Sequence, residues 1–164
     1  LVPVLEDGDL RLSQSMAILD YLDRVAPSPK LIPDEPRARA RELEFAHIIA
    51  CDTHPLNNLR ILKYLKDELA LDAAAVNAWY QEWIDHEVGA AESVLRQENK
   101  GAPYCFGDQA TLADCVLVPQ MANALRKGCD VSAFPLSMAI YEHALGEDSF
   151  QRALPERQPD FVSP

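Results

Sequence analysis

A cluster of four prolines divides this 164-residue chain into two parts with different apolar patterns. The prolines lie in residues 26–36. Because proline fixes φ and disfavours helix in the residue before it, this stretch predicts a stiff linker. Residues 1–25 combine β-prone runs with one helical pattern, whereas residues 37–164 contain only apolar patterns with helical spacing. The sequence therefore predicts a small α/β piece, a linker and an all-helical domain.

The part before the linker is expected to form a hairpin and a helix. Residues 1–12 predict the hairpin, because two β-prone runs flank an Asp-Gly-Asp turn signal. A helix is expected over residues 15–23, with Ser13 or Ser15 capping its open N–H groups. A hairpin and one helix are too small to fold alone, so they must pack on other residues.

Helical patterns account for nearly all of the chain after the linker. In the first of them, Pro55 is expected to kink the helix or to end it. Asp72 is expected to cap the next helix, and Thr111 with Asp114 fits a capping box of structural rather than catalytic role. The patterns cover residues 37–69, a segment from 72, residues 111–126, a segment from 135, and residues 148–154.

Charge and composition disfavour several classes of function. The net charge of −11 opposes binding to a phosphate backbone, so no nucleic-acid partner is expected. There is no run of 18 apolar residues and no secretory pattern, so neither a membrane span nor export is expected. The four cysteines are widely spaced without a C-x-x-C pair, which favours free thiols in a reducing compartment over disulfides or zinc.

The first polar motif combines Val2 and Pro3 with Gln14 and Ser15. A cis proline would leave the backbone of Val2 free to pair with an extended peptide. Gln14 and Ser15 stand where a strand meets a helix N-terminus, whose N–H groups suit a carboxylate. A strand proline followed by an ordinary serine cap explains the same residues without a ligand.

Two further motifs lie in the helical part. His54 and Asn58 are four residues apart, so they are expected to share a helix face, with Arg60 nearby. This face is either a pocket wall or a solvated surface. Arg126 closes a helix, where a cation either complements the helix dipole or binds a carboxylate in a bidentate fork.

Taken in order, these motifs resemble the glutathione transferase fold. In that fold a thioredoxin-like domain precedes an all-helical domain. Val2-Pro3 resembles the cis-proline turn, Gln14-Ser15 resembles the pair that holds the γ-glutamyl end of glutathione, and Thr111 with Asp114 resembles a helix capping box of the family. Four longer runs are similar to the zeta class: residues 14–22, 49–59, 107–120 and 157–160.

The resemblance implies a mostly α protein and a specific reaction. Residues 1–25 would be the C-terminal part of the thioredoxin-like domain, 26–36 the linker and 37–164 the helical domain. The implied activity is glutathione-dependent cis–trans isomerisation of a maleyl β-diketo acid, maleylacetoacetate or maleylpyruvate. A cytoplasmic homodimer is implied as well. The implied glutathione-binding residues are Val2, Gln14, Ser15, His54 and Asn58, and the implied substrate-binding residues are Arg126 and Arg60.

One departure from the family pattern bears on catalysis. The family's domain begins with a strand–helix–strand unit that carries a Ser-Ser-Cys-Ser-type motif, and this chain is expected to lack that unit and the motif with it. The catalytic residue is therefore unassigned, and a protein of these 164 residues alone is expected to be nearly inactive. Two other functions stay open: conjugation or dehalogenation of small α-halo acids, and a non-catalytic, truncated family member.

Overall fold

An antiparallel hairpin opens the part of the chain that the computed structural model describes, residues 3–161. Strands β1 (Val4–Asp7) and β2 (Leu10–Ser13) are joined by a two-residue turn. Gly8 in that turn has a φ of 60°, a conformation that glycine adopts without steric cost. The register pairs Val4 with Ser13 and Asp7 with Leu10, so the predicted hairpin is confirmed.

Helix α1 (Ser15–Val25) follows the hairpin directly, but neither serine caps it. Ser13 is still paired in β2, and Ser15 is already the first helical residue. The residue that precedes the helix is Gln14, whose side chain makes no capping hydrogen bond. The predicted serine cap is therefore wrong, because the chain passes from strand to helix within one residue.

The proline-rich stretch is fastened to both of its neighbours. The Asp23 carboxylate accepts hydrogen bonds from the N–H groups of Leu31 (2.6 Å) and Ile32 (3.3 Å). The Leu31 carbonyl in turn accepts from the N–H of Leu112 at 2.9 Å. The Ile32 side chain is fully buried in a small apolar cluster with Ala46 and Leu112, against which side chains of α1 pack. Through this cluster the α/β piece contacts the helices.

Helices make up nearly all of the chain after the linker. Three π-helical segments connect several of them: Ile48–Thr53, Tyr64–Glu68 and Ile84–Val88. A short 3₁₀ turn, Pro155–Arg157, follows the last α-helix. The α-helices are α2 (Pro36–His47), α3 (His54–Asn57), α4 (Leu59–Lys63), α5 (Ala73–Trp83), α6 (Gly89–Glu98), α7 (Leu112–Arg126), α8 (Pro135–Leu145) and α9 (Asp148–Ala153).

The chain stays helical through Pro55 and breaks three residues later. Pro55 lies in the first turn of α3, directly after a π-helical segment, where a missing N–H costs little. The break falls at Asn58, whose φ of −74° and ψ of 159° are extended. The expectation of a kink or an end at Pro55 is therefore wrong in position.

Two helix starts follow the sequence prediction closely. Asp72 accepts from the N–H of Ala75 at 2.8 Å and so caps α5. Thr111 and Asp114 form the capping box at the start of α7. In it, the buried Asp114 carboxylate accepts from the Thr111 N–H at 2.8 Å and also from the N–H of Cys105 at 2.9 Å.

The main hydrophobic core lies between α2, α5, α6, α7 and α8, with the π-helical segments that join them. All four cysteines are unpaired, as predicted. Within residues 3–161, no helix is both long and apolar enough to cross a membrane. The largest buried members of the core are Phe45, Ile49, Tyr80, Ile84, Leu95, Leu117, Met121, Phe134 and Ile140.

Candidate functional site

The junction between β2 and α1 places two of the predicted site residues side by side. Gln14 has a φ of 86° and a ψ of 114°, a left-handed conformation that is uncommon for any residue except glycine. Its carbonyl accepts from the N–H of Ile18 at 3.0 Å. Both Gln14 and Ser15 are exposed. A strained residue next to a helix N-terminus is typical of a binding site.

The N-terminus of α1 has the chemistry of an anion site. The first N–H groups of any helix lack intrahelical acceptors and carry the positive end of its dipole. In α1 no side chain caps them, and the first turn contains no acidic residue. A carboxylate of a ligand would meet these N–H groups and the Ser15 hydroxyl together. Val2, the other predicted residue of this motif, lies outside the described residues.

His54, Asn58 and Arg60 do not share one helix face. Asn58 leaves the helical conformation, so the four-residue spacing from His54 no longer implies a common direction. The Asn58 side chain caps α4: its Oδ1 accepts from the Ile61 N–H at 3.1 Å, and its Nδ2 donates to the Pro55 carbonyl at 2.9 Å. His54 and Arg60 are exposed.

Arg126 ends α7 at a well-defined helix terminus. Gly128, with a φ of 72°, donates to the Leu125 carbonyl, and Cys129 donates to the Ala124 carbonyl, which is the Schellman arrangement. The exposed Arg126 guanidinium donates to the Asn123 side chain at 2.8 Å. It therefore retains donors on its other nitrogen atoms for an anionic ligand.

These groups are not joined to one another within the described part of the chain. No hydrogen bond or ion pair there connects Gln14 or Ser15 with His54, Asn58, Arg60 or Arg126. Their assignment to one site therefore stays a prediction.

A large cleft among the described residues lies elsewhere. It measures about 910 Å³, and none of the predicted site residues lines it. Its walls carry both signs of charge, with Lys30, Arg37 and Arg41 facing Glu42 and Glu98.

The cleft contains a carboxyl group with a strongly altered acidity. The pKa of Glu42 is raised to about 7, mainly by burial, and the nearby carboxylates of Asp114 and Asp23 act in the same direction. A hydrogen bond from the Leu112 N–H to Glu42, 3.1 Å long, acts in the opposite direction. This carboxyl group fastens α2 to the start of α7.

Three of the cysteine thiols are poor nucleophiles at neutral pH. Burial, together with the nearby Asp114 carboxylate, raises the pKa of the Cys115 thiol to about 11 and that of Cys105 well above its usual range. Burial also raises the pKa of Cys129. Because only the thiolate attacks carbon, these three residues do not supply a reactive sulfur.

Asn57 is a polar side chain that the sequence analysis did not single out. It is 7% exposed, and neither Oδ1 nor Nδ2 has a hydrogen-bond partner in the described structure. In its neighbour Asn58, by contrast, both Oδ1 and Nδ2 form hydrogen bonds. Nothing in the sequence distinguishes two adjacent asparagines, because the difference depends on where the helix breaks.

Comparison with protein families and curated proteins shows consistent similarity. The model for the glutathione S-transferase N-terminal domain matches residues 1–24. The chain is 45% identical over 161 residues to the maleylpyruvate isomerase of Ralstonia sp, covering 98% of this chain and 76% of that protein. It is 42% identical over 160 residues to a probable maleylacetoacetate isomerase of Vibrio cholerae, covering 98% and 74%. The chain thus spans about three quarters of these relatives.

Solved structures agree with the predicted fold. The crystal structure of maleylpyruvate isomerase from Pseudomonas aeruginosa PAO1 matches with a TM-score of 0.94 and 47% identity, covering 98% of this chain and 83% of that one. The holo structure of a maleylpyruvate isomerase, described as a bacterial zeta-class glutathione transferase, matches with a TM-score of 0.94 and 42% identity. The match covers 99% of this chain and 76% of that one. A maleylacetoacetate isomerase from Anaeromyxobacter dehalogenans, solved with glutathione in its active site, matches with a TM-score of 0.89 and 35% identity. The match covers 99% of this chain and 74% of that one.

Proposed function

This chain belongs to the zeta class of glutathione transferases, and from that membership we propose that it is a glutathione-dependent cis–trans isomerase. The substrate is a maleyl β-diketo acid, maleylacetoacetate or maleylpyruvate, and the product is its fumaryl isomer. The observation that carries the proposal is the extent of the match. Nearly the whole chain, rather than one domain of it, aligns with maleylpyruvate isomerases at 42–47% identity.

The junction of β2 and α1 suits the γ-glutamyl end of glutathione. An uncapped helix N-terminus, an exposed hydroxyl at Ser15 and the amide of Gln14 together match a carboxylate and an amine. In our proposal Gln14 and Ser15 hold that end, and the backbone of Val2 pairs with the cysteinyl part. When bound, glutathione supplies a thiol nucleophile that makes the double bond transiently rotatable and is recovered unchanged.

The helical domain supplies the other contacts in our proposal. His54 and Asn58 contact glutathione. Asn58 is able to do so while it caps α4, because one N–H and one lone pair of its amide remain after its two hydrogen bonds. Arg126 binds a substrate carboxylate, with Arg60 as a second cation. Local cations are needed because the net charge of −11 otherwise repels a dianionic substrate.

The group that lowers the pKa of the glutathione thiol is not assigned to a residue of this sequence. The Ser-Ser-Cys-Ser-type motif does not occur in it, and three of the four cysteine thiols have raised pKa values.

We also propose that the protein is a homodimer in a reducing, cytoplasmic compartment. In this proposal residues 1–25 are the C-terminal part of the thioredoxin-like domain, residues 26–36 are the linker and residues 37–164 are the helical domain. Four unpaired cysteines support the compartment. Family membership supports the dimer and the domain boundaries. Light scattering on the purified protein tests the assembly state.

The test of function is an isomerisation assay on protein of verified intact mass. Maleylpyruvate and maleylacetoacetate are each offered with and without glutathione, and a small α-halo acid is offered in parallel. We expect isomerisation only with glutathione, and a decrease of at least about tenfold in kcat/KM for Ser15→Ala. Turnover of the α-halo acid alone, or isomerisation that does not need glutathione, would overturn the proposal.

A further inference from the structure

The side chain of Gln81 in α5 holds the turn that follows α7 at two points. Its Nε2 donates to the Asp130 carbonyl at 3.0 Å, and its Oε1 accepts from the Asp130 N–H at 2.8 Å. The two residues are 49 positions apart in the chain. A side-chain amide that pairs with both backbone groups of one residue fixes the distance and the orientation of that segment.

The orientation of the Gln81 amide is itself determined by a neighbour. Asp85, one helical turn further along, accepts from the same Nε2 at 2.8 Å. The nitrogen therefore faces two oxygen acceptors, and the oxygen faces the one N–H donor. A flipped amide would place its oxygen against both of these acceptors, so only one orientation satisfies all three contacts.

The clamped turn begins directly after Arg126. Lys127, Gly128 and Cys129 separate that arginine from Asp130, and the Schellman hydrogen bonds run through the same residues. The last turn of a helix frays unless its end is held. Arg126 is exposed, and among residues 3–161 its side chain makes one hydrogen bond, to Asn123 within its own helix. Its position therefore depends on the helix end rather than on side-chain packing.

We propose that Gln81 is a positioning residue for the substrate site: by clamping Asp130 it fixes the end of α7 and so the direction in which Arg126 meets the substrate carboxylate. This inference rests on the proposed function, because it takes Arg126 as the carboxylate-binding group. Gln81 itself touches no substrate. Its effect appears in the affinity for the maleyl acid and leaves glutathione binding unchanged.

Gln81→Ala is the first variant, with Gln97→Ala as its matched control. Gln97 is an exposed glutamine in α6 without a side-chain hydrogen bond in the described residues. We expect Gln81→Ala to raise KM for the maleyl substrate about tenfold with little change in kcat or in KM for glutathione. Gln97→Ala should behave as the parent does. Gln81→Glu should match or exceed Gln81→Ala, because it removes the donor and adds a negative charge beside Asp85.

A double-variant comparison separates positioning from a general loss of structure. If Gln81 acts through Arg126, adding Gln81→Ala to Arg126→Ala leaves KM for the maleyl substrate unchanged. An added effect in that background, or an equal rise in KM for glutathione, would overturn the inference.

Calorimetric titration with maleate gives a readout that does not need turnover. The parent should bind maleate, and Gln81→Ala and Arg126→Ala should each weaken that binding. Absence of turnover in the parent defeats the proposed function alone, and the maleate titration then still decides the role of Gln81. Equal maleate affinity in the parent and Gln81→Ala, or no maleate binding by the parent, would contradict the proposed positioning role of Gln81.

Discussion

The carboxylate of Glu92 in α6 accepts two hydrogen bonds from Ser137 in α8, one from its N–H at 2.9 Å and one from its hydroxyl at 2.8 Å. A third bond comes from the Leu136 N–H at 3.1 Å. Both Glu92 and Ser137 are buried. Helix α8 has no side-chain cap of its own, so a residue 45 positions away in another helix caps it.

Glu92→Gln is expected to lower the free energy of unfolding by about 2 kcal/mol. Both carboxylate oxygens accept hydrogen bonds, so an amide of the same shape must turn its NH₂ group toward an N–H or hydroxyl donor. Guanidinium denaturation measures the change. Glu68→Gln, at an exposed position without a side-chain hydrogen bond in the described part of the chain, is the control and should match the parent. A variant as stable as the parent would mean that the cap contributes nothing net.

At Asp23 we expect that replacing the carboxylate by an amide costs little stability, in contrast to Glu92. A single oxygen, Oδ1, accepts from both Leu31 and Ile32, so an asparagine retains the acceptor that matters. We expect Asp23→Asn to cost less than about 1 kcal/mol and Asp23→Ala to cost about 2 kcal/mol. Thermal unfolding of the two variants side by side measures the difference. Equal losses would show that charge, rather than the acceptor, holds the linker.

Asn58 allows its capping role to be separated from its proposed ligand contact. Asn58→Ala should cost about 1 kcal/mol of stability, because α4 loses the acceptor for the Ile61 N–H. Asn58→Asp keeps that acceptor but loses the hydrogen bond from Nδ2 to the Pro55 carbonyl, so its stability should lie between those of Asn58→Ala and the parent. If Asn58 also contacts glutathione through its N–H, both variants bind glutathione more weakly. Chemical denaturation and a glutathione titration on each variant measure the two effects.

Glu42 should make stability depend on pH near neutrality. Its folded-state pKa of about 7 lies above the value of 4.5 for a free glutamate, so the folded protein binds more protons than the unfolded chain between these values. Stability from this group is therefore present at low pH and lost as the pH rises through 7. With allowance for solvent at the cleft, the loss is on the order of 2 kcal/mol.

Glu42→Gln tests this dependence directly. The amide oxygen still accepts from the Leu112 N–H but does not ionise. The variant should gain stability over the parent between pH 5 and pH 8. The measurement is the difference in unfolding free energy between the two proteins across that range, which cancels the titration of all other groups. A difference that stays constant with pH would contradict the raised pKa.

Local signals predicted the hairpin and the starts of α5 and α7 correctly. Asp72 and the Thr111–Asp114 pair act within three residues of their own position, so their roles follow from sequence. The serine caps failed because β2 runs into α1 with only Gln14 between them. The shared face of His54 and Asn58 failed for a similar reason, since the helix breaks at Asn58.

By itself, the sequence determined the order of the elements, because periodicity, proline placement and capping residues act over a few neighbouring positions. The fold class and the family followed from the resemblance of its motifs to those of a known family. Only the tertiary structure decided which polar groups hold that fold together. Glu92 with Ser137, Glu42 with Leu112 and Gln81 with Asp130 are 45, 70 and 49 residues apart. Such pairs have no local signature, since only packing of the helices brings each partner within reach of the other.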